Sequence, residues 1–364
     1  MRKNEAKWIE SRQRWQINVQ SDGERRTFSD STPGKKGKIA AERKADHWLE
    51  HHLSGEGRRC DEYLDRFVQK KKETTSTGNY EQVEKHVRLY IKPVIGRKKI
   101  GSLTENDLQD VIDKAYAAGL SYKTLCNIRG TISSFMKYCR KDKATALFPE
   151  DLTIPKGAKR GEKHIAQPND LKTLFKCEET CYYSHEQPDR YIHAYRFAVL
   201  TGLRPGELLG LQWSDVSGDK LTIRRAINNR SEITQGKNEN ARRSLSIKGL
   251  AKVELDAQRA MLSRRGEISQ YIFPAPDGSF TTQQSFRFSW HRYCKHNGIG
   301  HLTPYELRHT YVSINDEMPD GLKKKALGHS ANMDTEGVYG HRKSGDLDRI
   351  AEYSSDAVKK IIGQ

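Results

Sequence analysis

Hydrophobic positions divide the chain into three segments with different periodicities. In the first, over about 1–56, alternating apolar positions predict strands at 14–19 and 25–28, with another strand beginning near Trp8. Apolar residues at a spacing near 3.6 then predict a helix over 39–53. A small sheet backed by one helix and rich in Arg and Lys suits a module that reads a DNA groove. A basic scaffold without a contact role is the alternative.

The second segment, 57–155, has helical periodicity throughout. It predicts a helix over 79–90 that ends before Pro93, a capped helix start at Thr104, and a long helix over 121–140. The last of these helices is crowded with basic side chains, so one of its sides is a candidate phosphate-facing surface. These basic side chains are Lys123, Arg129, Lys137 and Arg140.

The third segment, 165–364, follows a stretch at 156–164 that contains Pro, Gly and charge but no apolar periodicity, which predicts an exposed linker. Helices and strands are predicted over 169–175, 191–200, 221–223 and 244–247, and the rest reads mostly as helix. The pattern as a whole predicts a multidomain α+β protein. We expect a small β-sheet-plus-helix N-terminal domain, an all-helical middle domain and a mainly helical C-terminal domain with a small antiparallel sheet.

Composition narrows the choice of partner. The 364 residues carry a net charge of +17 and a pI near 9.5, which favours a polyanion, most simply nucleic acid. No apolar run approaches the roughly 20 residues of a membrane span, and no apolar stretch follows the charged N-terminus as in a signal peptide. Six scattered cysteines predict reduced thiols in a cytoplasmic protein.

Two arginines lie where predicted elements end or begin. Arg204 stands at a Gly-Leu-Arg-Pro-Gly break after an apolar helix, and Arg308 stands at the start of another predicted helix. The planar fork of a guanidinium binds phosphate through two donors, so both residues are candidate phosphate clamps. Taken alone, either arginine would more simply form a surface salt bridge.

Three further residues complete a set that could attack a phosphodiester. Lys237 lies at a turn between two strand candidates and could protonate a leaving oxygen, or be an ordinary solvated lysine. His329 follows Leu-Gly before a predicted helix and could donate to the phosphate. Tyr339, ten residues later, could attack phosphorus and form a covalent intermediate.

With these residues the chain resembles the tyrosine recombinases, or phage-type integrases. The stretches TGLRPGELLGLQW, LRHT and LGHS…YGH are similar to the family boxes over 201–341. Residues 79–137 resemble the helical core-binding domain, and 1–55 resemble, more weakly, the arm-binding domain of mobile-element integrases. The resemblance implies catalytic roles for Arg204, Lys237, Arg308, His329 and the nucleophile Tyr339, with Glu207 as a supporting acid.

One position departs from the family. Histidine is usual three residues before the second arginine, whereas this chain has Tyr305. A phenol with a pKa near 10 would mainly donate a hydrogen bond there, so general-base help at this corner is in question. Tyr305 also competes for the role of nucleophile, but the ten-residue spacing between His329 and Tyr339 favours Tyr339.

The implied reaction is a transesterification through a DNA 3′-phosphotyrosyl link, without ATP, cofactor or metal. The expected partners are double-stranded DNA at core and arm sites, other protomers in a homotetramer, and accessory proteins that bend DNA or set direction. The implied domains are an arm-type DNA-binding domain (1–56), a core-binding domain (57–155) and a catalytic domain (165–364). Further candidate DNA contacts are Arg14, Arg25, Arg26, Arg242 and Arg243.

Three other classes of protein remain open from sequence. A type IB topoisomerase shares the chemistry, a catalytically silent DNA-binding protein or repressor shares the charge, and a metal-dependent transposase or nuclease shares the substrate. The amphipathic tail after Tyr339 has two possible partners. The first alternative is that it folds back on its own domain; the second, which the resemblance implies and which we predict, is that it docks on a neighbouring protomer.

Overall fold

The computed structural model describes residues 4–21, 24–53, 57–235, 242–328 and 345–363. The chain forms two compact units, Met1–Glu162 and Lys163–Gln364. The boundary between the units lies inside the predicted linker. In the described residues, no helix is long and apolar enough to cross a membrane.

The first unit opens with the predicted sheet and helix. Strands β1 (Lys7–Ile9), β2 (Arg14–Ser21) and β3 (Glu24–Asp30) form an antiparallel sheet in that order. Helix α1 (Gly34–Leu53) packs on β2 and β3. Alternation along β2 directs Ile17 and Val19 inward against small alanines of α1, which gives this part its own small core. The N-terminal fold prediction is therefore confirmed.

The rest of the first unit is helical, as predicted. Its helices are α2 (Cys60–Thr74), α3 (Thr77–His86), α4 (Lys92–Ile95), α5 (Glu105–Ala117) and α6 (Tyr122–Lys141). They enclose one continuous hydrophobic cluster. The capped helix start at Thr104 is confirmed, because Thr104 Oγ1 accepts from the N–H of Asp107 at 3.3 Å and the Asp107 carboxylate accepts from the N–H of Thr104 at 3.0 Å.

Two boundaries in this unit differ from the prediction. The helix expected to end before Pro93 instead continues through a π-helical stretch, Val87–Ile91, into α4. Pro93 lies directly after the π-helical stretch, in the first turn of α4. The predicted linker also begins later, because Ala158 is buried and the Lys159 carbonyl accepts from the N–H of Tyr122 at 2.9 Å.

The second unit is mainly helical, with several short strands. Its helices are α7 (Pro168–Lys176), α8 (Ile192–Thr201), α9 (Pro205–Leu209), α10 (Leu250–Arg264), α11 (Gln283–Asn297), α12 (Pro304–Ile314), α13 (Asp320–Leu327) and α14 (Asp346–Ile362). Its strands are β4 (Glu179–Tyr182), β5 (His185–Pro188), β6 (Val216–Ser217), β7 (Lys220–Ile223), β8 (Ala226–Ile227), β9 (Ile233–Thr234) and β10 (Arg243–Ser246). An antiparallel sheet runs in the order β10-β7-β6, beside the hairpins β4-β5 and β8-β9.

Helix α8 lies at the centre of this unit. All of its residues are buried, and α7, α10, α12 and α14 pack against it. A helix with no exposed face must be surrounded in this way, and its polar side chains His193 and Arg196 are paired inside the unit. The position of its C-terminal end is therefore fixed by the core. Arg204 follows that end by three residues in sequence.

Sequence periodicity did not predict the β4-β5 hairpin. Every residue of β5 is exposed, so no apolar alternation marks the strand. The turn uses Tyr183 and Ser184 at φ values of 48° and 64° in place of the Gly or Asn that usually signals such a turn.

Candidate active site

The turn that carries Arg204 is fixed by a glycine. Gly202 ends α8 with a left-handed φ of 63°, and a Cβ there would lie 2.5 Å from a ring carbon of Tyr311. Arg204 then serves as the N-cap residue of α9, with Pro205 in the first turn of the helix. The Thr-Gly-Leu-Arg-Pro-Gly sequence thus determines a tight exit from a buried helix, as its break pattern predicted.

Glu207 holds Arg204 in place. Its Oε1 accepts from Arg204 Nη1 at 2.7 Å, and its Oε2 accepts from the Arg204 backbone N–H at 3.1 Å. The Glu207 side chain is buried, whereas 32% of the Arg204 side chain is exposed. The Arg204 guanidinium is therefore anchored from inside and still reaches the surface, as a phosphate clamp requires.

Arg308 lies in α12 and is only 4% exposed. Its Nη1 donates to the Gly202 carbonyl at 2.8 Å, and its Nη2 donates to the Leu327 carbonyl at 2.9 Å. These bonds place Arg308 directly beside the turn that carries Arg204. Burial, together with the like charges of Arg204 and Arg243, lowers the pKa of Arg308 to about 10, so the group stays charged at neutral pH.

Arg243, which the sequence suggested as a DNA contact, is enclosed instead: its side chain is only 1% exposed, and all three of its guanidinium nitrogens donate inside the protein. Its Nη2 and Nη1 donate to the two oxygens of Glu207 at 3.0 and 3.3 Å, and its Nε donates to the Ala326 carbonyl at 2.9 Å. Strand parity could have revealed this, because Arg243 shares a face with Leu245 and Ile247, both buried. Arg242 is exposed on the opposite face and donates to Gln235 Oε1 at 2.6 Å.

These residues form one charged network. Burial by itself would raise the pKa of Glu207, but the charge of Arg243 and hydrogen bonds from Arg243 and Arg204 outweigh burial and lower it. The cluster of Arg204, Arg243, Arg308 and Glu207 therefore holds three guanidinium groups against one carboxylate. An excess of fixed positive charge in a partly buried site is suited to an anion that gains charge during reaction.

Tyr305 stands on the same helix as Arg308, three residues before it, and is 46% exposed. Its ring meets that of His309 edge to face, with ring centroids 5.2 Å apart. Burial and then the nearby charge of Lys163 lower the pKa of His309, which favours the neutral imidazole. The corner that departs from the family therefore presents an exposed phenol beside a histidine whose neutral form is favoured.

Lys237, His329 and Tyr339 lie outside the described residues. Chain ends next to two of the undescribed stretches are nevertheless tied together. The bond between Arg242 and Gln235 joins the two ends of 236–241. Lys325 Nζ lies 2.9 Å from Asp346 Oδ2, which brings the end of α13 to the start of α14 across 329–344. Both stretches that contain these candidates therefore start and finish on the same unit as the arginine cluster.

The other candidate DNA contacts vary in exposure. Lys123 and Lys137 are exposed on α6. Arg129 and Arg140 are half-buried and donate to the carbonyls of Leu152 and Leu147 at 3.2 and 2.9 Å, so part of each fork is already used. In the N-terminal sheet Arg14 is half-buried, whereas Arg25 and Arg26 are exposed on β3. The guanidinium carbon of Arg26 lies 5.8 Å from the ring centre of Trp48.

Within the described part of the chain, no group of three or more His, Cys, Asp or Glu side chains could hold a metal ion. Ionisable groups that interact with the arginines include Glu207, Tyr305 and His309. The cluster can therefore act on a bound anion through fixed positive charge and hydrogen-bond donors.

Comparison with known proteins agrees with this geometry. The model of the phage integrase family matches residues 166–345, and the model of its N-terminal SAM-like domain matches residues 61–116. The arginine cluster lies within the first of these matches. The fold and site define a DNA-acting tyrosine recombinase. The chain belongs to the phage integrase family.

Named relatives and solved structures extend the likeness. The ICEBs1 integrase of Bacillus subtilis (strain 168) is 25% identical over 288 residues, covering 74% of this chain and 75% of the relative. Tyrosine recombinase XerC of Bacillus licheniformis is 26% identical over 257 residues, covering 68% and 80%. The Tn1549 transposon integrase bound to a circular intermediate DNA superposes with a TM-score of 0.65 at 16% identity, over 80% of this chain and 98% of that one. A lambda integrase dimer on a COC' core site gives 0.62 at 14% identity, over 91% and 93%.

Proposed function

We propose that this protein is the integrase of a mobile element or prophage, which cuts and rejoins DNA at specific sites through a 3′-phosphotyrosyl intermediate. The observation that carries this proposal is the network of Arg204, Glu207, Arg243 and Arg308. It concentrates fixed positive charge within the unit that also contains Lys237, His329 and Tyr339. A metal-dependent transposase or nuclease would require clustered carboxylates; here the carboxylate Glu207 is occupied by two arginines.

In this proposal each residue has one role in the cleavage step. The Tyr339 oxygen attacks phosphorus, the P–O3′ side stays joined to the tyrosine, and the P–O5′ bond breaks. Lys237 gives a proton to the departing 5′-oxygen, while Arg204, Arg308 and His329 donate to the non-bridging oxygens as their charge grows. A 5′-hydroxyl from a partner strand then reverses the attack. The link conserves the bond energy, so the exchange proceeds without ATP.

Tyr305 takes the corner where the family usually has histidine. Its exposed phenol lies one helical turn from Arg308 and can donate to the phosphate. In this role Tyr305 donates a hydrogen bond and does not act as a general base. His309 beside it, whose lowered pKa favours the neutral imidazole, is a candidate to accept a proton.

The proposed partner is double-stranded DNA, bound at core sites by the helical and catalytic domains and at arm sites by 1–56. The exposed Arg25 and Arg26 on β3 and the exposed Lys123 and Lys137 on α6 support these two surfaces. Lambda integrase has been solved as a tetramer on a Holliday junction, with a TM-score of 0.59 to this chain at 14% identity. For this chain we propose a tetramer on paired sites. We also propose that it acts in the cytoplasm, with accessory proteins that bend DNA or set direction.

The decisive experiment traps the covalent intermediate. A nicked attachment-site duplex, from which a short 5′-hydroxyl fragment diffuses away after cleavage, should accumulate a protein–DNA adduct whose peptide maps to Tyr339. Tyr339→Phe should abolish the adduct and leave duplex binding within a few fold, because affinity comes from phosphate contacts elsewhere. Cleavage in EDTA excludes a metal-dependent nuclease, and joining to a second duplex separates recombination from topoisomerase action. An adduct formed by the Phe variant would refute the assignment.

A further inference from the structure

Arg243 links three parts of the chain from which candidate catalytic residues extend. It begins β10, six residues after Lys237 in sequence. Its terminal nitrogens donate to Glu207, which in turn holds both the backbone and the guanidinium of Arg204. Its Nε donates to the Ala326 carbonyl in the last turn of α13, three residues before His329 in sequence.

The end of α13 receives two arginines. Arg243 donates to the Ala326 carbonyl and Arg308 donates to the Leu327 carbonyl. The last carbonyls of a helix lack intrahelical partners and carry the negative end of the helix dipole, so a buried guanidinium is well placed there. The two bonds therefore fix the point at which the chain leaves α13 toward His329.

We propose that Arg243 is a positioning residue for strand cleavage: it aims Arg204 through Glu207 and fixes the end of α13 without touching DNA. This inference rests on the proposed function. The Arg243 side chain is 1% exposed and all three of its guanidinium nitrogens already donate inside the protein, so we expect its effect on the reaction to pass through its partners.

The geometry requires arginine at this position. Two parallel N–H groups bind the two Glu207 oxygens while the third nitrogen reaches a different acceptor on another helix. Lysine keeps the charge but offers one nitrogen, so it cannot span both acceptors in the same plane. Arg243→Lys therefore loosens the aim of Arg204 while leaving the charge of the cluster unchanged.

Arg196 is a matched control in the same unit. It is also buried, and it also donates to carbonyls near a helix end, with Nε 2.8 Å from the Leu174 carbonyl and Nη2 3.2 Å from the Cys177 carbonyl. Its Nη1 lies 3.1 Å from Glu178 Oε1, and Glu178 holds none of the candidate site residues. Arg196→Lys thus removes similar bonds from a buried arginine whose hydrogen-bond acceptors are not candidate site residues.

The test compares single-turnover cleavage of the nicked duplex by wild type, Arg243→Lys and Arg196→Lys. It is run with saturating protein, well below each melting temperature. We expect Arg243→Lys to cleave at least about tenfold more slowly, the scale of a small misplacement in an active site, with duplex affinity unchanged. Arg196→Lys should cleave like wild type even where its thermal stability falls as far. Equal cleavage by Arg243→Lys and wild type, or losses that follow melting temperature in both variants, would overturn the proposal.

A duplex with a methylphosphonate at the scissile position adds a chemical criterion. The neutral linkage develops less charge, so it depends less on a correctly aimed Arg204. The defect of Arg243→Lys should therefore shrink on this substrate, relative to wild type on the same substrate. An undiminished defect would point to general structural damage.

Two further controls keep the outcomes separable. If Arg243→Lys does not fold, Glu207→Gln keeps the shape of the network and should show the same slower cleavage at unchanged duplex affinity; wild-type cleavage by that variant would overturn the proposal. If wild-type protein forms no adduct on the duplex, the proposed function itself fails. If wild type cleaves and Arg243→Lys cleaves equally, only the positioning role fails.

Discussion

Removing the C-terminal helix α14 should strongly destabilise the second unit, Lys163–Gln364. In the structure α14 packs on its own unit, where Val358 joins the main hydrophobic cluster and Ile350 joins the smaller cluster around Tyr311. Polar contacts add to this, since Asp348 accepts from Ser246 Oγ at 2.8 Å and from Lys248 Nζ at 2.7 Å. The first alternative for the tail, packing on its own domain, is therefore the arrangement observed.

The magnitude follows from burial. Ile350 and Val358 are both under a tenth exposed, and fully burying such a side chain contributes about 1.5–3 kcal/mol. These two residues alone thus account for about 3–6 kcal/mol, against the roughly 5–15 kcal/mol that stabilises a typical domain. A chain that ends at Gly345 should therefore lose much of its free energy of unfolding.

Urea denaturation of the full chain and of the chain ending at Gly345 measures this loss. Ile350→Ala should cost about 2–4 kcal/mol, while Glu352→Ala, exposed on the same helix, should cost less than about 0.5 kcal/mol. If the truncated chain keeps the same unfolding transition, α14 does not stabilise its own unit in solution. Its apolar face would then be available to a neighbouring protomer, and weakened synapsis would be the main effect of truncation.

Three further predictions concern the site and its scaffold. Arg308→Lys should reduce cleavage at least about 100-fold with duplex affinity unchanged, because one ammonium cannot serve the Gly202 and Leu327 carbonyls and also a phosphate oxygen; near-normal turnover would exclude a fork-shaped contact. Tyr305→His should retain cleavage and Tyr305→Phe should lose part of it, whereas equal rates for Phe and Tyr would show that the hydroxyl has no role. Burial raises the pKa of Asp189 from 3.8 to about 6, so the folded protein holds a proton that the unfolded chain releases and stability falls as pH rises through this window. Asp189→Asn, which can keep the bond to the Tyr191 N–H, should remove up to about 3 kcal/mol of that fall, measured as the difference in unfolding free energy between wild type and variant at pH 4 and pH 7.

Local signals predicted most of the elements. Alternation found the N-terminal strands, the Thr104 cap found the start of α5, and the Gly-Leu-Arg-Pro-Gly break found the end of α8. Each of these signals depends on residues within one turn or one strand, where propensity and periodicity act directly. The predictions failed where these local signals are weak. One failure is the exposed β4-β5 hairpin, which has no apolar face, and the other is the helix that continues past Pro93 after a π-helical stretch.

The arginine cluster shows a different limit. Periodicity assigns Arg243 to the buried face of its strand, yet nothing local reveals that its partners are Glu207 and the end of α13, 36 and 83 residues away in sequence. Arg308 likewise meets Gly202 across 106 residues. Motif resemblance located Arg204, Glu207 and Arg308 as a set, but it could not separate an arginine that reaches the surface from one that is enclosed. In the structure all three guanidinium nitrogens of Arg243 donate inside the protein, so Arg243 becomes a candidate positioning residue and is no longer a candidate DNA contact.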